Sequence, residues 1–143
     1  MPMPRKGGNM ITYDQLIQQA RRSEVLQDEA TMEPAVKAVL GIIANRLDEV
    51  PARLFASELP KPLTYEVLCG GPANVTDLSV EQYFDAIANQ FHMPRQHGER
   101  LVSTILQVVC HNLSPEAMRA VRNNLPQDWN RLLQKVGPRE AVQ

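Results

Sequence analysis

The chain lacks a dominant charge. Fifteen basic and sixteen acidic side chains leave a formal net charge of −1, so no global field draws it to nucleic acid or to an anionic membrane. Any such binding has to be local. Cysteine is scarce as well. Cys69 and Cys110 stand alone, with no Cys-x-x-Cys spacing, which argues against a disulfide framework or a zinc ribbon. With no secretory leader to be read at the N-terminus, the expected compartment is the reducing cytoplasm. Aromatic residues make up 5%, too few to build a stacking platform for single-stranded nucleic acid. No apolar run approaches the roughly 18 residues that a membrane-spanning helix requires, so no membrane partner is expected. Gly70-Gly71 is not followed by Lys-Ser or Lys-Thr, and neither a Gly-x-Ser-x-Gly elbow nor a His-Glu-x-x-His pattern occurs. Phosphate-loop, hydrolase and zinc-protease chemistries therefore have no sequence support. No cofactor, no resident metal and no enzymatic activity are expected.

What the chain does contain is a repeat. Val36, Val39, Leu40, Ile43 and Leu47 return as Val102, Ile105, Leu106, Val109 and Leu113, each pair 66 positions apart. Both sets have the i, i+3, i+4, i+7, i+11 spacing of one helical face. Downstream, Arg53 answers Arg119, Leu59-Pro60 answers Leu125-Pro126, and Leu63 answers Trp129 at the same offset. Upstream, Tyr13, Leu16, Ile17 and Ala20 correspond to Val80, Tyr83, Phe84 and Ile87 at an offset of 67, as one residue gained or lost in a loop would leave. The start signals recur too. Thr12-Tyr13-Asp14-Gln15 and Ser79-Val80-Glu81-Gln82 both fit the capping box, in which a hydroxyl and an amide satisfy free N–H groups reciprocally.

These signals predict helices at 13–22, 31–47, 50–58 and 63–68, then at 80–91, 97–112, 115–124 and 127–136. Ser114-Pro115-Glu116 supports the seventh, since serine caps, proline suits the first helical position and glutamate complements the dipole. Pro60 and Pro126 should stop the helices before them. The expected fold is all-α: an internally duplicated bundle, two units of about four helices related by a pseudo-twofold axis and sharing one core. Its parts are a disordered tail at 1–10, a first repeat at 11–71, a connector at 72–77, a second repeat at 78–137 and a tail at 138–143.

Tyr13-Asp14-Gln15-Leu16, Ala38-Val39-Leu40 running to Arg46-Leu47, Leu59-Pro60, Val121-Arg122, Leu125-Pro126-Gln127-Asp128-Trp129 and Leu132-Leu133 together resemble a prokaryotic family, domain of unknown function number 2267. The resemblance covers roughly residues 11 to 136. It implies a helical bacterial protein built on a two-copy pattern, with no established activity. The chain departs from that pattern at Pro60-Lys61-Pro62, where the extra proline predicts a delayed or shortened fourth helix, and at the Gly-rich join.

Histidines and thiols offer little chemistry. His92 and His97 fall in a loop shaped by Pro94 and Gly98, with no convincing third metal ligand nearby. Cys110 and His111 are adjacent, so on a helix they project about 100° apart and cannot act as a nucleophile and base. Cys110 stands where Ala44 stands in the first copy, which suggests a small packing residue. Glu24, Asp28, Glu29 and Glu33 form an acidic stretch before the second helix, and Arg95, His97 and Arg100 replace it in the second copy. That reversal would allow head-to-tail homo-oligomers.

Positive charge gathers late in the chain, at Arg119, Arg122, Arg131 and Lys135, around the single tryptophan. Arginine and tryptophan are enriched at interface hot spots, so Arg119, Arg122, Trp129 and Arg131 are the candidate partner contacts. Trp129 also occupies the place of Leu63, which favours a core role for it. The expected function is a non-enzymatic protein-interaction or adaptor module with an unidentified protein partner. One alternative is a regulatory protein that binds nucleic acid through the basic helices of the second repeat. Another is a small-molecule binder or enzyme with a pocket between the repeats.

Overall fold

The computed structural model describes residues 12–25, 29–61, 63–69 and 78–136, and these form helices and turns with no strand among them. The helices are α1 (Tyr13–Ala20), α2 (Glu29–Arg46), α3 (Glu49–Ser57), α4 (Tyr65–Cys69), α5 (Val80–Gln90), α6 (Arg95–Asn112), α7 (Pro115–Asn123) and α8 (Gln127–Val136). The expected tails at 1–10 and 138–143 and the connector at 72–77 lie outside the described residues.

Local capping chemistry sets the starts. Thr12 and Ser79 each accept a hydrogen bond from the backbone N–H three residues on, and the Gln15 and Gln82 side chains accept one from the backbone N–H of the cap, completing two capping boxes. Ser114 caps α7 through the Ala117 N–H, with Pro115 in the first turn. The first helix is shorter than the expected 13–22: it is α-helical to Ala20 and tightens into a 3-10 turn over Arg21–Ser23, which Glu24 ends in the left-handed conformation at φ 62°. Capping at Glu58 and Asn124 ends α3 and α7 before Pro60 and Pro126 are reached. The fourth helix is delayed, as the extra proline predicts: α4 has five residues against ten in α8.

The apolar stripes build the core. Val36, Val39, Leu40 and Ile43 of α2 are buried, and so are Val102, Ile105, Leu106 and Val109 of α6. Leu47 is buried, whereas Leu113 is half-buried. α5 lies along α6, α4 along α2, α1 reaches across to α6, and α3 packs on α7. Two glycines permit close approaches. At Gly98 a Cβ would lie 2.8 Å from the Phe84 carbonyl oxygen, so α5 and α6 touch backbone to backbone there. At Gly41 a Cβ would meet the Leu68 carbonyl oxygen at 3.2 Å, and one turn on, Asn45 donates to the carbonyls of Gly41 and Leu68, tying α4 to α2.

The centre is pinned by polar contacts between distant segments. Tyr83 is wholly buried and donates its hydroxyl to the Val39 carbonyl at 2.8 Å. The Leu78 carbonyl accepts from both the Trp129 indole at 3.0 Å and Arg46 Nε at 3.3 Å. Asp128 accepts from the Val80 N–H at 2.9 Å. Glu58, the cap residue closing α3, accepts from the Ser114 backbone N–H at 2.8 Å and from its hydroxyl at 2.6 Å. One carboxylate thus joins the end of α3 to the start of α7, with charge-assisted bonds stronger than neutral ones.

Candidate interaction surface around the seventh helix

The late cationic residues divide between two grooves. On α7, Arg119 and Arg122 are one turn apart and share a face. They line a groove of about 420 Å³ between α6, α7 and α8, together with Leu113, Pro115, Met118 and Asn123, and with Cys110 and Asn130 completing the lining. Arg131 and Lys135 line a different groove of about 510 Å³, formed by α5, α6 and α8. Glu81, Glu99 and Asp128 line that second groove beside them, so its charges are mixed. A third groove, of about 360 Å³, runs past α3 and α4 and carries Arg53, Lys61 and Glu66. Each of these three is lined from one half of the chain, so none of them lies between the repeats, where the small-molecule alternative would put its pocket.

The α7 groove differs from the other two in its electrostatics, because no Asp or Glu lines it. Among the described residues, neither Arg119 nor Arg122 pairs with a carboxylate. Arg119 is exposed and Arg122 half-buried, which leaves Arg122 less screened by water. Asn130 spends its amide on the carbonyls of Arg122, Leu125 and Pro126, fixing the corner where α7 turns into α8. The groove therefore has a rigid wall.

Cys110 is buried, and burial pushes its thiol up to about 12, with the Arg122 guanidinium acting weakly in the opposite direction. The thiol is neutral at physiological pH and cancels none of the arginine charge. Burial also raises Tyr83 well above its ordinary value, and the neighbouring Cys110 adds to the rise. Groups raised this way contribute stability that is complete below the unfolded value, 9.0 for a thiol, and is lost as pH climbs toward the folded one, at about 1.4 kcal/mol per pH unit for each group. Thermal unfolding of the parent should therefore weaken between about pH 9 and 11 more steeply than that of Cys110→Ala. Parallel pH profiles would refute the buried, neutral thiol.

Trp129 is not a surface residue. It is fully buried, its ring stacks on Tyr83 at a centroid distance of 4.7 Å, and the Arg46 guanidinium lies 6.0 Å from the ring centre. This corrects its inclusion among the partner contacts: a side chain without exposed area touches no partner in this conformation. Arg131 is exposed, in the mixed-charge groove. The basic surface expected around one tryptophan is thus two grooves with no lining residue in common.

Other expectations also change. α6 begins at Arg95, two residues before the expected 97, so His97 and Gly98 both lie in its first turns, Pro94 is its cap, and only His92 sits in the turn, at φ 54°. Among the described residues no group of three or more His, Cys, Asp or Glu side chains is placed to hold a metal ion. Arg95 does not present free charge, because it pairs with Glu81 and, at 3.1 Å, with Asp85, and lies over Phe84. In the acidic stretch, Asp28 lies outside the described residues, while Glu24 and Glu33 are exposed.

A family model described as "Uncharacterized conserved protein (DUF2267)" matches residues 13–132. The chain belongs to this family. The match begins at the first residue of α1 and ends inside α8, so it takes in the α7 groove. No curated protein matches the chain.

Proposed function

We propose that this member of the family is a non-catalytic protein-interaction module of the bacterial cytoplasm. Its frame is a duplicated helical unit with pseudo-twofold symmetry, and its partner surface is centred on Arg119 and Arg122. The single observation that carries the reading is a concave surface holding two guanidiniums and no carboxylate. Arginines at a preformed concavity suit a partner, since among the described residues no carboxylate pairs with them.

Helix lengths and pairings support the duplication. α2 and α6 each have 18 residues and start 66 positions apart, as α3 and α7 start 66 apart with nine residues each. An axis relating the halves would bring equivalent helices together, and α3 packs on α7 while α2 meets α6. Two free thiols support a reducing compartment. Among the described residues, no helix is long and apolar enough to cross a membrane.

The test is affinity capture from the native host with the parent chain and an Arg119→Glu/Arg122→Glu variant, after circular dichroism has verified that both fold. A protein retained by the parent and lost by the variant is the expected result. An identical set of captured proteins from both baits would remove Arg119 and Arg122 from the interface, and nucleic acid retained only by the parent would favour a nucleic-acid-binding regulator.

A further inference from the structure

The α7 groove also indicates the chemistry of its partner; this step rests on the interaction reading above. We infer that it takes a short acidic–apolar protein segment, with the carboxylates on Arg119 and Arg122 and an apolar side chain against Leu113, Pro115 and Met118.

Three observations lead there. The first is charge complementarity: of the three grooves described, this is the one whose lining contains cations and no anions. A guanidinium binds a carboxylate through two parallel N–H···O bonds, and two guanidiniums one turn apart suit two acidic side chains or one multiply charged group. The second is the apolar part of the lining. Leu113 is half-buried where its counterpart Leu47 is buried, and Met118 is partly buried beside it. Methionine adapts its shape to varied side chains, a property common to peptide-binding grooves. The third is size, since about 420 Å³ falls in the range of sites that hold a few side chains.

Nucleic acid fits less well. No aromatic ring lines the groove to stack a base, and two cations neutralise few phosphates, which gives little counterion release.

Fluorescence anisotropy with the full chain tests the assignment, using a labelled peptide of alternating glutamate and leucine, its glutamine–leucine counterpart and a labelled oligothymidylate. The glutamate–leucine peptide should bind about tenfold or more tighter than the neutral one, and about tenfold or more weaker to Arg119→Glu/Arg122→Glu, a loss typical of removing charge-assisted contacts. Arg131→Glu/Lys135→Glu should bind within about twofold of the parent, since those residues line the other groove. If the double variant fails to fold, Arg119→Gln serves in its place, with a loss of about threefold or more expected at this exposed position. Equal binding of both peptides, undiminished binding by the variants, no binding, or tighter binding of oligothymidylate would each overturn the assignment. An arginine-dependent partner captured from the host whose bound segment lacks acidic residues would also overturn it, while leaving the interaction reading intact.

Discussion

Gly98→Ala is expected to destabilise the protein by about 1–3 kcal/mol, a loss typical of overpacking. The ordinary effect of this change in a helix is opposite in sign, because alanine is the better helix former by up to about 1 kcal/mol. The reversal comes from the neighbouring helix. An added Cβ would lie 2.8 Å from the Phe84 carbonyl oxygen, 2.9 Å from the Ala88 Cβ and 3.1 Å from the Ala88 nitrogen. Two of the three obstacles are backbone atoms, so rotating a side chain does not relieve the clash, and α5 and α6 must separate. Gly98→Val should cost more and leave little folded protein at 37 °C. Urea unfolding measures both, and a stabilised Gly98→Ala would show that α5 and α6 are not in backbone contact at this point.

Trp129→Ala should cost about 3–5 kcal/mol, the range found for removing a buried large aromatic. In a domain of this size each kcal/mol lowers the melting temperature by a few degrees, so a fall of roughly 10 °C or more is expected. The substitution removes the stack on Tyr83 and one of the two donors to the Leu78 carbonyl, leaving Arg46 to hold it alone. Trp129→Phe should recover most of the loss while still lacking the indole N–H, which is worth about 1 kcal/mol. A Trp129→Ala chain as stable as the parent, followed by far-ultraviolet circular dichroism, would contradict the central placement of the ring.

The contrast between these residues shows what can be read from the chain alone. Thr12, Ser79 and Ser114 announce their helices because a cap acts on N–H groups two or three residues away, and the stripes from Val36 and Val102 announce a core because their spacing is periodic. Contacts between segments distant in sequence leave no such trace. Glu58 reaches Ser114 across 56 positions and Asp128 reaches Val80 across 48, and no local pattern links either pair. Gly98 falls at the start of the helix expected at 97–112, and only the approach of α5 explains why that helix keeps a glycine there. Arg119, Arg122, Arg131 and Lys135 are neighbours in sequence, yet the turn at Pro126 and the course of α8 send two into one groove and two into another. Arg119 and Arg122 were legible as candidates; the carboxylate-free groove that sets them apart from Arg131 was not.

The most direct test of the account compares two charge reversals in one capture experiment from the native host, Arg119→Glu/Arg122→Glu and Arg131→Glu/Lys135→Glu, with the parent alongside and all three chains verified as folded. The account predicts that a partner retained by the parent is retained by the α8 variant and lost by the α7 variant. Loss with the α8 variant alone, or retention by both, would contradict it.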